Sequence, residues 1–283
     1  MGSRQPVVES VGARPSPALA RLVGRYVGYR IDGFPPGTHL GLPSASLTIV
    51  ISLGAPTDIR TWHDGYTGTA SFPALVGGLH TKPAEIVHDG RQHGVQLALT
   101  PAGARALLGM PAGELGATVV ALDEVFPATA ELTGRMAAAP GWRGRFAVLE
   151  DVLVGALGRG SALPEGPLTH AWNRIVGSGG RARVDDVARE VGWSRRHLGQ
   201  RFRREYGLSP KDAARVSRFD SSRRLVERPD RPTLAEVAAI SGYADQSHLA
   251  REWNDLAGRP PSAWIADEEF PFVQDEAGEP VAA

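Results

Sequence analysis

Arg196, Gly199, Gln200 and Arg203 fall on one face of any helix that runs through them, at about 100° per residue, and Leu198 and Phe202 fall on the other. The polar face is equipped to read the edges of planar groups. Arginine forks two hydrogen bonds to guanine O6 and N7, and glutamine or asparagine does the same to adenine N6 and N7. Gly199 lets the backbone come close to whatever is read. Ser247, Ala250, Arg251 and Asn254 repeat the arrangement at an offset of 51, opposite Leu249 and Trp253. Arg195 and Gln246 stand at the same end of each set.

These residues belong to two phrases with one plan, VDDVAREVGWSRRHLGQRFRREYG from Val184 and TLAEVAAISGYADQSHLAREWNDLAG from Thr233. Val187, Ala188, Gly192 and Trp193 recur as Val237, Ala238, Gly242 and Tyr243 at an offset of 50, whereas Leu198, Phe202 and Gly207 recur as Leu249, Trp253 and Gly258 at 51. The extra residue falls in the turn. An apolar helical stretch, a Gly-aromatic turn and a longer helix with a polar face make a helix-turn-helix, and two of them point to a DNA reader. Ser194 is placed to cap the first reading helix, Ser209-Pro210 to open a long helix over about 210–227, and Thr233 with Glu236 to form a capping box. Trp193 and Tyr243 are expected beneath the turns as core plugs. His197 and His248, beside the anchor leucines, are expected to pack or to meet phosphate.

The first hundred or so residues read differently. Short apolar runs at Tyr26–Ile31, Ser46–Leu53, Ala84–His88 and Val95–Leu99, separated by Gly and Pro, have the rhythm of an antiparallel sheet or small barrel. Thr100-Pro101 opens a helix, and from Pro127 to Gly160 the spacing is helical, with Phe146, Leu149, Val152, Leu153 and Leu157 on one face. That face suits packing on its own domain or a dimer contact. GRGSALPEGP, 158–167, is the best linker, and about seven helices are expected after it.

Composition narrows the chemistry. The chain has 283 residues and no cysteine, which removes disulfides, thiolate zinc sites and thiol catalysis. Residues 181–264 hold 17 Arg+Lys against 12 Asp+Glu, or +5, and 265–283 hold six acids and no base. A basic module beside a near-neutral one fits a phosphate-binding domain attached to something else. Arginine abundance by itself says little, because only Lys82 and Lys211 are lysines among the 31 basic residues. No apolar run reaches the ~20 residues of a membrane helix, and a cytoplasmic protein is expected.

Residues 181–266 resemble the DNA-binding domain of the AraC/XylS family of bacterial transcriptional regulators. Val237, Ala238, Gly242, Tyr243, Asp245, Gln246, Ser247, His248 and Leu249 follow that family's I-A-x-x-x-G-Y-x-D-Q-S-H-L phrase in order, and GRPPSAW is similar to its ending. The resemblance implies two helix-turn-helix units joined by the long helix and seated over successive major grooves about 34 Å apart. Ala213, Ala214 and Ser217 are smaller than the family's usual residues there, so packing is looser or something else fills the gap. GLHTKPAEIVHDGRQHGVQLALTPAGARALLGMPAGEL is similar to sensor segments of actinobacterial members, which implies a cupin-like or related β-rich fold.

The expectation is therefore an α+β, two-domain chain. Residues 1–125 form a β-rich sensor domain and 126–160 a helical segment suited to dimerisation. A linker at 161–167 leads to an all-α DNA-binding domain at 168–266, with helix-turn-helix units at about 184–206 and 233–257, and an acidic tail at 267–283. Arg218, Arg223 and Arg224 of the long helix are candidates for salt bridges or phosphate contacts. Expected partners are double-stranded promoter DNA, RNA polymerase, a small-molecule effector and a second copy; Trp62, Tyr66, His80 and Arg91 are candidates to line an effector pocket. No catalytic or metal-ligating set and no cofactor is expected. The competing reading is a cupin-type metal enzyme fused to a DNA module, since His39, His63, His80, His88 and His93 share the β-rich half. Their spacing matches no tight ligand motif.

Overall fold

The structure, a computed structural model, describes residues 6–61, 67–158 and 166–267. Trp62, His63 and Tyr66, most of the expected linker, and the acidic tail beyond Asp267 lie outside the described residues. The first domain is built from two antiparallel sheets. One has the order β1 (Val7–Ala13), β2 (Val23–Asp32), β9 (Gln92–Leu99), β4 (Leu47–Ser52), β7 (Ala74–Gly77) and β10 (Val119–Ala121). The other runs β3 (Gly37–Gly41), β8 (Ala84–His88), β5 (Thr57–Thr61) and β6 (Thr67–Phe72).

Strand β4 explains how the larger sheet serves two cores. Its residues alternate strictly, so Leu47, Ile49 and Ile51 are buried while Thr48, Val50 and Ser52 are half-buried on the other face. The first set meets the helices that follow the sheet; Thr48 and Val50 line an interior cavity between the sheets with Leu75, Ile59 and Ile86. Thr100 accepts a hydrogen bond from the Gly103 amide and starts the expected helix, which passes at once into a π-helical turn over Ala104–Leu108.

The helical segment belongs to this first domain. Helix α1 (Thr129–Ala138) and helix α2 (Gly141–Ala156) bury Leu132, Met136, Phe146, Leu149, Val152 and Leu153 against the sheet. Phe146 stacks on Tyr26 at 6.2 Å, and the Tyr26 hydroxyl donates to Glu150 at 2.6 Å. The apolar face that suited a dimer is thus covered by the chain's own strands.

Seven helices make up the second domain among the described residues: α3 (Gly166–Gly177), α4 (Val184–Glu190), α5 (Arg195–Tyr206), α6 (Pro210–Val226), α7 (Leu234–Ser241), α8 (Gln246–Ala257) and α9 (Pro261–Asp267). Leu168, Trp172, Phe202 and Tyr206 continue the core of the first domain into α3 and α5. A separate core around Phe219, Trp253 and Trp264 holds α6, α7, α8 and α9. At the small residues of α6 the backbone comes close, with Gly180 against the Ala214 carbonyl; further along, the Trp253 indole N–H donates to Ser222 at 2.9 Å.

His39 on β3 packs against His88 on β8, with ring centroids 5.6 Å apart. Burial, helped by the neighbouring imidazole, pushes His39 from 6.5 down to about 3. Between those values the unfolded chain binds a proton that the folded chain does not, so this contribution to stability falls as pH falls. Urea denaturation at about pH 7.5 and about pH 4.5 is expected to show it, at no more than about 1.4 kcal/mol per pH unit. His39→Gln is expected to reduce the loss; an equal loss in parent and variant would contradict the assignment.

Candidate nucleic-acid interface

Both turns are built alike. Gly192 and Gly242 take φ of 71° and 79°, a left-handed conformation that a side chain disfavours. Each lets the next residue fold back, so that the Trp193 amide donates to Ala188 and the Tyr243 amide to Ala238, both at 2.9 Å. The extra residue of the second copy is Ala244, inserted before the cap. Ser194 then accepts from the His197 amide at 3.2 Å and Asp245 from the His248 amide at 2.7 Å, which brings the two reading helices back into the same phase. His197 stands edge-on to Trp193 at 4.8 Å and His248 to Tyr243 at 5.3 Å, tying each helix start to its turn.

Leu198 and Phe202 on α5, and Leu249 and Trp253 on α8, are wholly buried. That orientation leaves Arg195, Arg196, Gln200 and Arg203 exposed on one helix and Gln246, Ser247, Arg251 and Asn254 exposed on the other, with Gly199 and Ala250 half-buried between them. Arg195 leans 3.4 Å from Asp185 at the start of α4. The residues grouped by helical phase therefore share two solvent-facing surfaces, and each surface carries groups able to contact base edges.

The long helix α6 is different. Arg223 is 2% exposed and paired with Asp220 at 2.8 Å and Glu227 at 2.9 Å, which removes it from the phosphate-contact candidates. Arg218 is turned inward, donating to the Gly180 carbonyl at 2.9 Å and to Glu252 at 3.3 Å, with its guanidinium over Tyr243. Arg224 reaches Asp220 at 2.7 Å but keeps a largely exposed side chain, so it alone of the three remains well placed for phosphate. Glu252, buried on α8, also receives Arg215 at 3.1 Å. This network fastens the second reading helix to α6. No spacing rule marked it in the sequence.

A cleft of about 900 Å³ lies between the domains, lined by Arg21, Arg25 and Gln96 on one side and Trp172, Asp220 and Arg224 on the other. Thr48 and Gln96 border both this cleft and the apolar interior cavity, of about 100 Å³. Of the residues expected to line a pocket, His80 borders the interior cavity and Arg91 lies in a different groove beside Asp32.

Residues 187–267 match the family described as "Helix-turn-helix domain". This part of the chain is an AraC-type helix-turn-helix domain. Residues 12–121 match "Domain of unknown function (DUF6597)". The chain is 30% identical over 66 residues to the "Uncharacterized HTH-type transcriptional regulator YbfI" of Bacillus subtilis, covering 23% of each chain. It is 30% identical over 84 residues to the "Msm operon regulatory protein" of Streptococcus mutans, covering 30% of each chain. The match thus spans less than a third of either relative. A structure of ToxT from Vibrio cholerae has the same two-domain arrangement, with a TM-score of 0.54 and 10% identity over 93% of this chain and 98% of that one. The β-rich domain followed by an AraC-type domain is therefore the fold. No helix among the described residues is long and apolar enough to cross a membrane.

Removing Arg223 takes two hydrogen bonds from Glu227 and leaves Asp220 with Arg224. Arg223→Ala is expected to cost about 3–5 kcal/mol in urea denaturation and to leave the salt dependence of duplex binding unchanged. A variant of parental stability whose salt slope falls by about one would instead put Arg223 on a phosphate.

Proposed function

We propose that this chain is a cytoplasmic, sequence-specific transcriptional regulator whose two helix-turn-helix units read successive major grooves of promoter DNA, with activity set through the N-terminal domain. One observation carries the reading. Two reading helices of the same construction present different exposed faces, Arg196, Gln200 and Arg203 against Ser247, Arg251 and Asn254. A non-selective binder has no need of that difference, whereas an asymmetric site read by one chain requires it. The regulator names of both sequence relatives support it, and RNA polymerase is the partner such a role implies. Among the described residues no group of three or more His, Asp or Glu is placed to hold a metal ion.

Arg196→Ala and Arg251→Ala are each expected to cost about 1–3 kcal/mol on a duplex selected by the parent from random DNA, and to relax base preference in opposite half-sites. If both variants bind selected and random duplexes as the parent does, the reading faces are misassigned.

The interdomain cleft is the proposed effector site. Arg21, Arg25 and Arg224 line it against one acid, Asp220, and it adjoins the apolar cavity. Such a cleft suits an anionic group with an apolar tail. ToxT, alike in fold at a TM-score of 0.51, has been solved bound to an unsaturated fatty acid. Oleate at about a hundredfold its Kd is expected to stabilise the chain by about 2.7 kcal/mol, read as a rise in melting temperature, and Arg21→Ala with Arg25→Ala to abolish the rise. No shift in the parent would exclude this ligand class.

A further inference from the structure

The two reading helices meet the N-terminal domain at the same relative place. On α5, Glu205 in the last turn receives two hydrogen bonds from Arg105, both at 2.6 Å. The pair is largely enclosed, with 20% and 6% of the side chains exposed, and the carboxylate holds Arg105 above its usual value. Beside it the 3₁₀ turn Ala112–Leu115 lies directly on the helix end. A Cβ on Gly113 would sit 2.6 Å from the Arg204 carbonyl oxygen and 2.9 Å from the Gly207 amide. Backbone touches backbone there, with no side chain to flex between them.

On α8, Lys82 donates to the Asp255 carbonyl at 3.1 Å, a cation on one of the last carbonyls of the helix. Leu42, from the loop after β3, is wholly buried in the core formed by Val216, Phe219, Trp253 and Leu256. The second helix-turn-helix therefore contains a core residue that its own domain does not supply. Both reading helices are gripped at their C-terminal ends, and the faces that carry the reading residues stay open to solvent.

We propose that Arg105 and Leu42 of the N-terminal domain are positioning residues for DNA recognition, which fix the separation and rotation of the two readers. This rests on the DNA-binding reading above and adds a role for residues that touch no DNA. The link within the second domain, α6, carries Ala213, Ala214 and Ser217 along its buried side. A second grip on each reader, through the N-terminal domain, holds them at the spacing that two successive grooves demand. Binding at one half-site then presents the other reader at high effective concentration, and that gain is lost when the geometry relaxes.

The test uses the full chain, a duplex it selects from random DNA, a duplex with one half-site scrambled, and a duplex with one base pair inserted between the half-sites. Arg105→Ala and Leu42→Ala are expected to bind the one-half-site duplex as the parent does. They are expected to lose about tenfold of the gain contributed by the second half-site, a typical coupling between sites, and to discriminate less against the inserted base pair. Circular dichroism at the assay temperature keeps unfolding separate from repositioning. If the variants discriminate spacing as the parent does, or lose one-half-site binding equally, the positioning role is overturned. A parent that selects no duplex overturns the DNA-binding reading, and this inference with it.

Discussion

An arginine and a carboxylate that leave water together must recover their hydration from each other, and Arg105 and Glu205 do so with both bonds of the guanidinium fork. Such a pair contributes little net stability compared with apolar packing of the same volume. What it contributes is geometry, because two parallel bonds fix the angle between the partners as well as their distance. Here one partner belongs to the β-rich domain and the other to the last turn of a reading helix. The orientation of that helix, and hence of Arg196, Gln200 and Arg203, depends on a contact made by the other domain. With Gly113 against the helix end and Leu42 in the second core, the DNA-binding domain is completed by the domain that precedes it.

Within each reader a division of labour follows from helix period. Leu198 and Phe202, and Leu249 and Trp253, bury one side and settle which residues face outward. The caps settle phase. Ser194 and Asp245 each bond the amide three residues on, and the inserted Ala244 is absorbed ahead of the cap, so one extra residue leaves the outward faces equivalent. The outward side chains are then free to differ without cost to folding. This is how one scaffold can read two base sequences.

Much of this was legible from residue types and spacing. The Gly-aromatic turns, the caps at Ser194, Ser209 and Thr233, the anchor residues and the long helix after Ser209 all appear where local rules put them. Local rules stop at the question of partner. The apolar stripe of α2 was visible, but periodicity says only that something covers Phe146 and Leu149; the sheet does. Arg223 looked like its neighbours in a run of exposed charge, and only the fold shows it enclosed between Asp220 and Glu227. Arg105 lies 100 positions from Glu205 in a chain where arginine is common, so nothing marked the pair. Glu205, the sole acid in the basic helix Arg195–Tyr206, was the one available signal. Short polar strands such as β3 and β6 lack the alternation that reveals a half-buried strand.

Under the proposed function, one chain carries two readers held for successive grooves. Hydroxyl-radical footprinting of the full chain on a selected duplex measures this at single-nucleotide resolution. Two protected patches are expected on one side of the duplex, about one helical turn or 34 Å apart, with different base preferences beneath them. A single protected patch, or uniform protection with no preferred position, would contradict it.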